Sequence, residues 1–150
     1  MSAQAVAAPS AAEELVEFFA AGWRIGARDP ERFYAHFGSR LTPDALMTQP
    51  LAAPVRGPGG LRELFAPLFA AMPDFTADVV RWGATDDGVL IEIRLHGTLG
   101  GRPVSWEAVD RLVVCDGLIA ERHSYFDPLP VALRLMRAPR LLWNTMRRRI

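Results

Sequence analysis

The chain contains no lysine: all 17 of its basic residues are arginine, against 17 Asp and Glu, and the formal net charge is zero. No global field therefore recruits nucleic acid or an anionic surface. A single cysteine, Cys115, excludes an internal disulfide and makes a reducing cytoplasm the simplest location. The three histidines are scattered without convergent spacing, so no metal site is expected. No apolar run approaches the ~20 residues of a membrane span. The start, MSAQAVAAPSAAEELVEFF, has no basic residue and meets Glu13 and Glu14, unlike a secretory signal. The glycines of RGPGG lack the Lys-Ser/Thr of a phosphate loop and read as a turn.

What is present is an ordinary globular composition, half hydrophobic. A chain of 150 residues fits one domain and can bury roughly 70% of its unfolded surface. Residues 1–9 read as a disordered tail, 10–128 as the domain and 129–150 as an Arg-rich helical extension. Ser10 with Glu13 forms a capping box, starting a helix to about Ala27. Asp29, Pro30 and Gly38 delimit a second helix. A short extended piece, DALMTQPL, precedes a third helix from about Pro58 to Met72, which Pro67 is expected to kink. Strands follow at about 75–83, 88–96, 103–115 and 118–126, with DDG, GTLGGR and CDG as turns. Helices followed by a strand meander predict an α+β fold, with helices on one face of a curved antiparallel sheet and an apolar pocket between them.

The segment VDRLVVCDGLIAERHSYFD concentrates acidic residues, a His and a Tyr within nineteen positions. Asp110 shares parity with Trp106, Ala108, Leu112 and Val114, an otherwise apolar face. Burial disfavours a charged carboxylate, so Asp110 is expected to face a ligand as a protonated acid or a proton acceptor. His123 depends on register. A two-residue Asp116-Gly117 turn sets it opposite Asp110, as a carboxylate-held general base. A three-residue loop with Gly117 in a bulge slips the pairing by one, so that Asp110 faces Arg122 and His123 turns to the other side. Asp127 before Pro128 reads as a helix cap, and Glu121 as a rim residue. Glu92, Arg94 and His96 share a face turned to solvent or a second copy, and His36 lies on a helix surface. Cys115 has no basic neighbour to activate it. Trp23, Tyr34, Trp82, Trp106 and Phe126 are aromatic candidates for the pocket wall. The tail carries Arg134, Arg137, Arg140, Arg147, Arg148 and Arg149 and no acid; packing on the domain is favoured over a membrane surface or acidic partner.

The ordered set TQP, RGPGGLRELF, MPDF, VLIEIRLHGTLGG, VDRLVVCDGLIAE and YFD, over roughly residues 12–128, resembles the SnoaL-like branch of the nuclear-transport-factor-2-like superfamily. The resemblance implies a cone-shaped α+β barrel, usually homodimeric, around a pocket for a small hydrophobic molecule. Family activities include polyketide cyclisation, ketosteroid isomerisation and epoxide hydrolysis; other members only bind or scaffold. It implies a cofactor-independent enzyme acting by proton transfer on an oxygenated polyketide- or terpenoid-like substrate, with a ligand-binding module or scaffold as the alternative. VDRLVV resembles the isomerase segment bearing an oxyanion-stabilising Asp, which falls on Asp110. Gln49 stands where the isomerases carry their base. Ala108 and Ser124 stand where epoxide hydrolases carry an Arg and a second carboxylate. Gln49 and Ser124 are left as residues that orient a ligand.

Overall fold

The computed structural model describes residues 10–136; the expectations for 1–9 and 137–150 lie outside the described residues. Ser10 accepts from the Glu13 N–H at 3.1 Å and opens α1 (Ala11–Ile25), followed by a 3-10 turn, Gly26–Arg28. Asp29 accepts from Arg32 N–H and opens α2 (Pro30–Gly38). β1 (Leu41–Thr48) and the two-residue β2 (Val55–Arg56) lead into α3 (Gly57–Ala71), which continues through Pro67. β3 (Thr76–Thr85), β4 (Gly88–Leu99), β5 (Arg102–Cys115) and β6 (Leu118–Tyr125) form the meander. Asp127 caps the last described helix, α4 (Pro128–Leu135), through Leu129 N–H at 3.1 Å, as its place before Pro128 predicts.

The fold is α+β: a curved, unclosed six-stranded sheet in the order β2-β1-β6-β5-β4-β3, with helices against it. All pairings are antiparallel except one, because β1 runs parallel to β6. The DALMT part of that segment thus belongs to a full strand, one that pairs with a partner some 75 residues away. The inner face alternates as β4 predicts: Val89, Ile91 and Ile93 are fully buried, and Leu95 nearly so. Trp23, 1% exposed, sits edge-on to Phe33, Phe65 and Phe75 at centroid distances of 5.2, 5.6 and 6.0 Å. This aromatic cluster joins α1, α2 and α3 to the sheet.

The β5–β6 hairpin has the two-residue turn, but beyond it the register is neither of the two expected from sequence. Asp116 and Gly117 form the two-residue turn, both with positive φ, 51° and 78°. Cys115 pairs with Leu118 and Val114 with Ile119, but Val113 then pairs with Glu121. Ala120 is therefore an extra residue, a β-bulge, and it shifts the rest of the strand by one. Asp110 comes to lie opposite Ser124, Leu112 opposite Arg122, and Arg111 opposite His123. The slip thus occurs in the direction opposite to the three-residue-loop expectation, and it arises in the strand, not in the turn.

Candidate functional site: an arginine-floored cavity

A cavity of about 440 Å³ lies between the inner sheet face, α3, α4 and the 49–56 segment. That volume is within the usual range for small-molecule sites. Phe65, Leu68, Phe75, Leu95, Trp106, Phe126, Val131 and Leu135 make most of its wall apolar. Its polar lining comes from Gln49, Arg122 and Ser124, with Arg56 and Glu63 at more exposed positions.

Arg122 is the group that organises these contacts. Its side chain is 10% exposed, and its Nε donates to Asp110 Oδ2 at 2.8 Å. Its Nη1 donates to Gln49 Oε1 at 3.1 Å, and its Cζ lies 5.4 Å from the centroid of the Phe65 ring. A guanidinium has five N–H donors. Two are used, which leaves three without a hydrogen-bond partner among the described residues. Because arginine cannot accept, Gln49 must turn its oxygen to Arg122, and its amide NH₂ is left for other partners. Trp106 adds a buried indole N–H with no partner among the described residues, packed between Phe75 and Phe126. The polar wall therefore offers donors, held in place by an ion pair.

Asp110 is fully buried on the apolar face, as parity predicts, but its expected role changes. Its Oδ2 accepts from Arg122, so that oxygen does not donate to a ligand, and the residue is not among those lining the cavity. Its Oδ1 is buried with no partner among the described residues. Asp110 anchors and charge-balances Arg122, and Arg122 reaches the cavity in its place.

His123 is corrected outright as a partner of Asp110. The Ala120 bulge turns it to the outer sheet face, beside Arg111 in the ladder. There Nδ1 meets Thr48 Oγ1 at 2.7 Å and Nε2 meets Glu121 Oε2 at 3.0 Å. Three aromatic candidates also fall elsewhere: Trp82 is exposed on β3 and does not line the cavity. Trp23 is consumed by the aromatic cluster, and Tyr34 packs on Phe33 and Phe69 under Arg62. Trp23 borders only a second void of about 20 Å³, room for a water at most. Gln49, Trp106, Ser124 and Phe126 do line the large cavity.

Sequence reasoning gave Arg122 no role in the chemistry. Its signal was the parity it shares with Ser124, hidden by a register that the turn alone does not determine. On the outer face, Arg94 forms an ion pair with Glu107 and His96 a hydrogen bond with Asp78, a solvated polar surface. Among the described residues no cluster of three metal-ligating side chains occurs, and no helix is long and apolar enough to cross a membrane.

Several solved structures share the fold. A SnoaL-like polyketide cyclase candidate from Jannaschia sp. CCS1 superposes with a TM-score of 0.72 at 18% identity, covering 87% of this chain and 96% of that one. TerC, co-crystallised with polyporic acid, gives 0.69 at 17%, covering 81% and 97%. An M. tuberculosis epoxide hydrolase of the limonene-epoxide-hydrolase-like type gives 0.64 at 21%, covering 85% and 90%. At these identities the likeness shows the fold alone. No curated protein matches the sequence significantly. The family model of the SnoaL-like domain matches residues 12–122, and the chain belongs to that family.

Proposed function

We propose that the cavity binds a small, largely apolar molecule through an oxygen atom, and that Arg122 stabilises negative charge developing on that oxygen. The observation that carries this reading is the buried guanidinium at the cavity wall, oriented by Asp110 and Gln49 with donors to spare. Preorganised donors favour an enolate over its parent ketone without reorganising as charge develops. The reaction class is therefore proton transfer next to a carbonyl, as in isomerisation or cyclisation. The C–H proton leaves its carbon, and the electron pair moves onto the oxygen held by Arg122. Glu63, the one carboxylate among the described lining residues, or water in the cavity accepts the proton. Trp106 and Phe126 supply flat apolar surface for a ring system. The structural relatives described as a polyketide cyclase candidate and an epoxide hydrolase agree with an oxygenated substrate.

The alternative is a binding module without chemistry. It is favoured by one observation: the buried carboxylate is engaged by Arg122 and does not line the cavity. The homodimer implied by the resemblance stays part of the proposal, with Leu90 and Tyr125 exposed on the outer sheet face.

Deuterium exchange at the α-carbons of 2-tetralone, followed by NMR, separates enzyme from binder without knowledge of the natural substrate. The enzyme reading predicts exchange above the buffer rate and a drop of at least ~tenfold in Arg122→Met. Saturable binding of the ketone with exchange at the buffer rate would replace the enzyme by the binding module.

A further inference from the structure

Ser124 follows Arg122 by two residues on β6 and shares its inner face. It is 5% exposed, lines the cavity, and its hydroxyl has no hydrogen-bond partner among the described residues. The unpartnered side-chain atoms sealed inside the described fold are Thr42 Oγ1, Trp106 Nε1 and Asp110 Oδ1. The Ser124 oxygen is not one of them, so it opens onto the cavity. A buried hydroxyl is ordinarily satisfied, and here what enters the cavity must satisfy it.

The ladder brings the Arg122 guanidinium to this hydroxyl. Arg122 Nε donates to Asp110, which lies directly opposite Ser124 on β5. Arg122 Nη1 donates to Gln49, the residue after Thr48; Thr48 is level with His123, so Gln49 stands level with Ser124 on the other flank. Both partners of the guanidinium are thus on the level of Ser124, one on each neighbouring strand. The guanidinium is drawn along β6 over Ser124, whose small side chain leaves room for it. Its unused N–H groups and the Ser124 O–H therefore converge on one region of the cavity.

We infer that Ser124 donates a second hydrogen bond to the oxygen that Arg122 holds. The site then takes a ketone, whose oxygen accepts two bonds, and the two donors together favour its enolate. As the C–H bond breaks, its electron pair moves through the carbonyl group onto that oxygen. Both donors keep their protons, and the C–H proton leaves to the acceptor named above. This rests on the proposed role of Arg122 and deepens it by adding a second donor and limiting the ligand oxygen to a carbonyl.

The test uses 2-tetralone labelled with carbon-13 at the carbonyl, bound to the wild type, Ser124→Ala and Arg122→Met. A carbonyl carbon moves downfield as its oxygen accepts hydrogen bonds, whether or not turnover follows. The wild type is expected to move it downfield, and each variant to move it less. In the exchange assay, Ser124→Ala should lower kcat by about tenfold or more and change KM by less than about twofold, as for a contact that strengthens only with the developing charge. Its melting should match the wild type, since only an unpartnered hydroxyl is lost. A full downfield shift in Ser124→Ala overturns the inference while leaving Arg122 its role. No shift in the wild type, or a full shift in Arg122→Met, contradicts the role of Arg122 and removes the inference with it. A lower melting temperature in Ser124→Ala, with shift and kcat unchanged, assigns the hydroxyl to the fold and overturns the inference as well.

Discussion

Removing either partner of the Arg122–Asp110 pair should be destabilising, and by unequal amounts. Arg122→Met leaves Asp110, 0% exposed, with neither oxygen bonded, since Oδ1 already lacks a partner. Breaking a buried pair in this way costs about 3–5 kcal/mol. Asp110→Val leaves Arg122 unbalanced, but the guanidinium keeps Gln49 and borders a cavity that water can enter. That loss should be smaller, about 1–3 kcal/mol. Replacing both by Met and Val removes both desolvated charges and should lie within about 1–2 kcal/mol of the wild type. For a chain of this size 1 kcal/mol moves Tm by about 2–4 °C, so Arg122→Met should melt about 6–20 °C lower. Urea denaturation followed by tryptophan fluorescence measures all four corners of the cycle. The reasoning fails if Asp110→Val is the more damaging single change, or if the double variant is no more stable than Arg122→Met.

Three further outcomes follow from other contacts. Asp74 is held below its ordinary value, first by the backbone N–H of Thr98 at 2.9 Å and then by the Thr98 hydroxyl at 2.8 Å. Its contribution is present above the unfolded-state value and lost as pH falls through the lowered folded value. Asp74→Asn should therefore lower Tm at neutral pH, with the gap to wild type closing in acid. Gly22→Ala places a Cβ 2.4 Å from the Phe37 ring, in the aromatic core. Overpacking of about 1–3 kcal/mol should outweigh the ~1 kcal/mol gain in helix propensity, read as a lower Tm. His123→Gln should leave ligand binding and α-proton exchange unchanged, because the ring faces Thr48 and Glu121 across the sheet from the cavity.

Local chemistry made much of the fold legible. Ser10, Asp29 and Asp127 each cap the helix that their position predicts, and the alternation in β4 correctly gave the buried face. Parity placed Asp110 in the core without any structure. What stayed hidden was non-local. The parallel β1–β6 pairing joins segments that only the assembled domain brings together. The Asp116-Gly117 turn was legible, but the Ala120 bulge was not, because no residue type demands a bulge there. That one extra residue puts Arg122 rather than His123 on the inner face. Trp23 and Tyr34 were ambiguous for another reason: an aromatic residue suits a core and a pocket equally well from sequence.

The central claim is that Arg122 holds a ligand oxygen inside an apolar cavity. Its most direct test is the affinity of naphthalene against 2-naphthol, matched in ring system and differing by one oxygen, for the wild type and Arg122→Met. The account predicts that the wild type favours the naphthol by about tenfold or more, as for a hydrogen bond to a charged group, and that the preference disappears in the variant. An equal preference in both proteins, or none in the wild type, would contradict it.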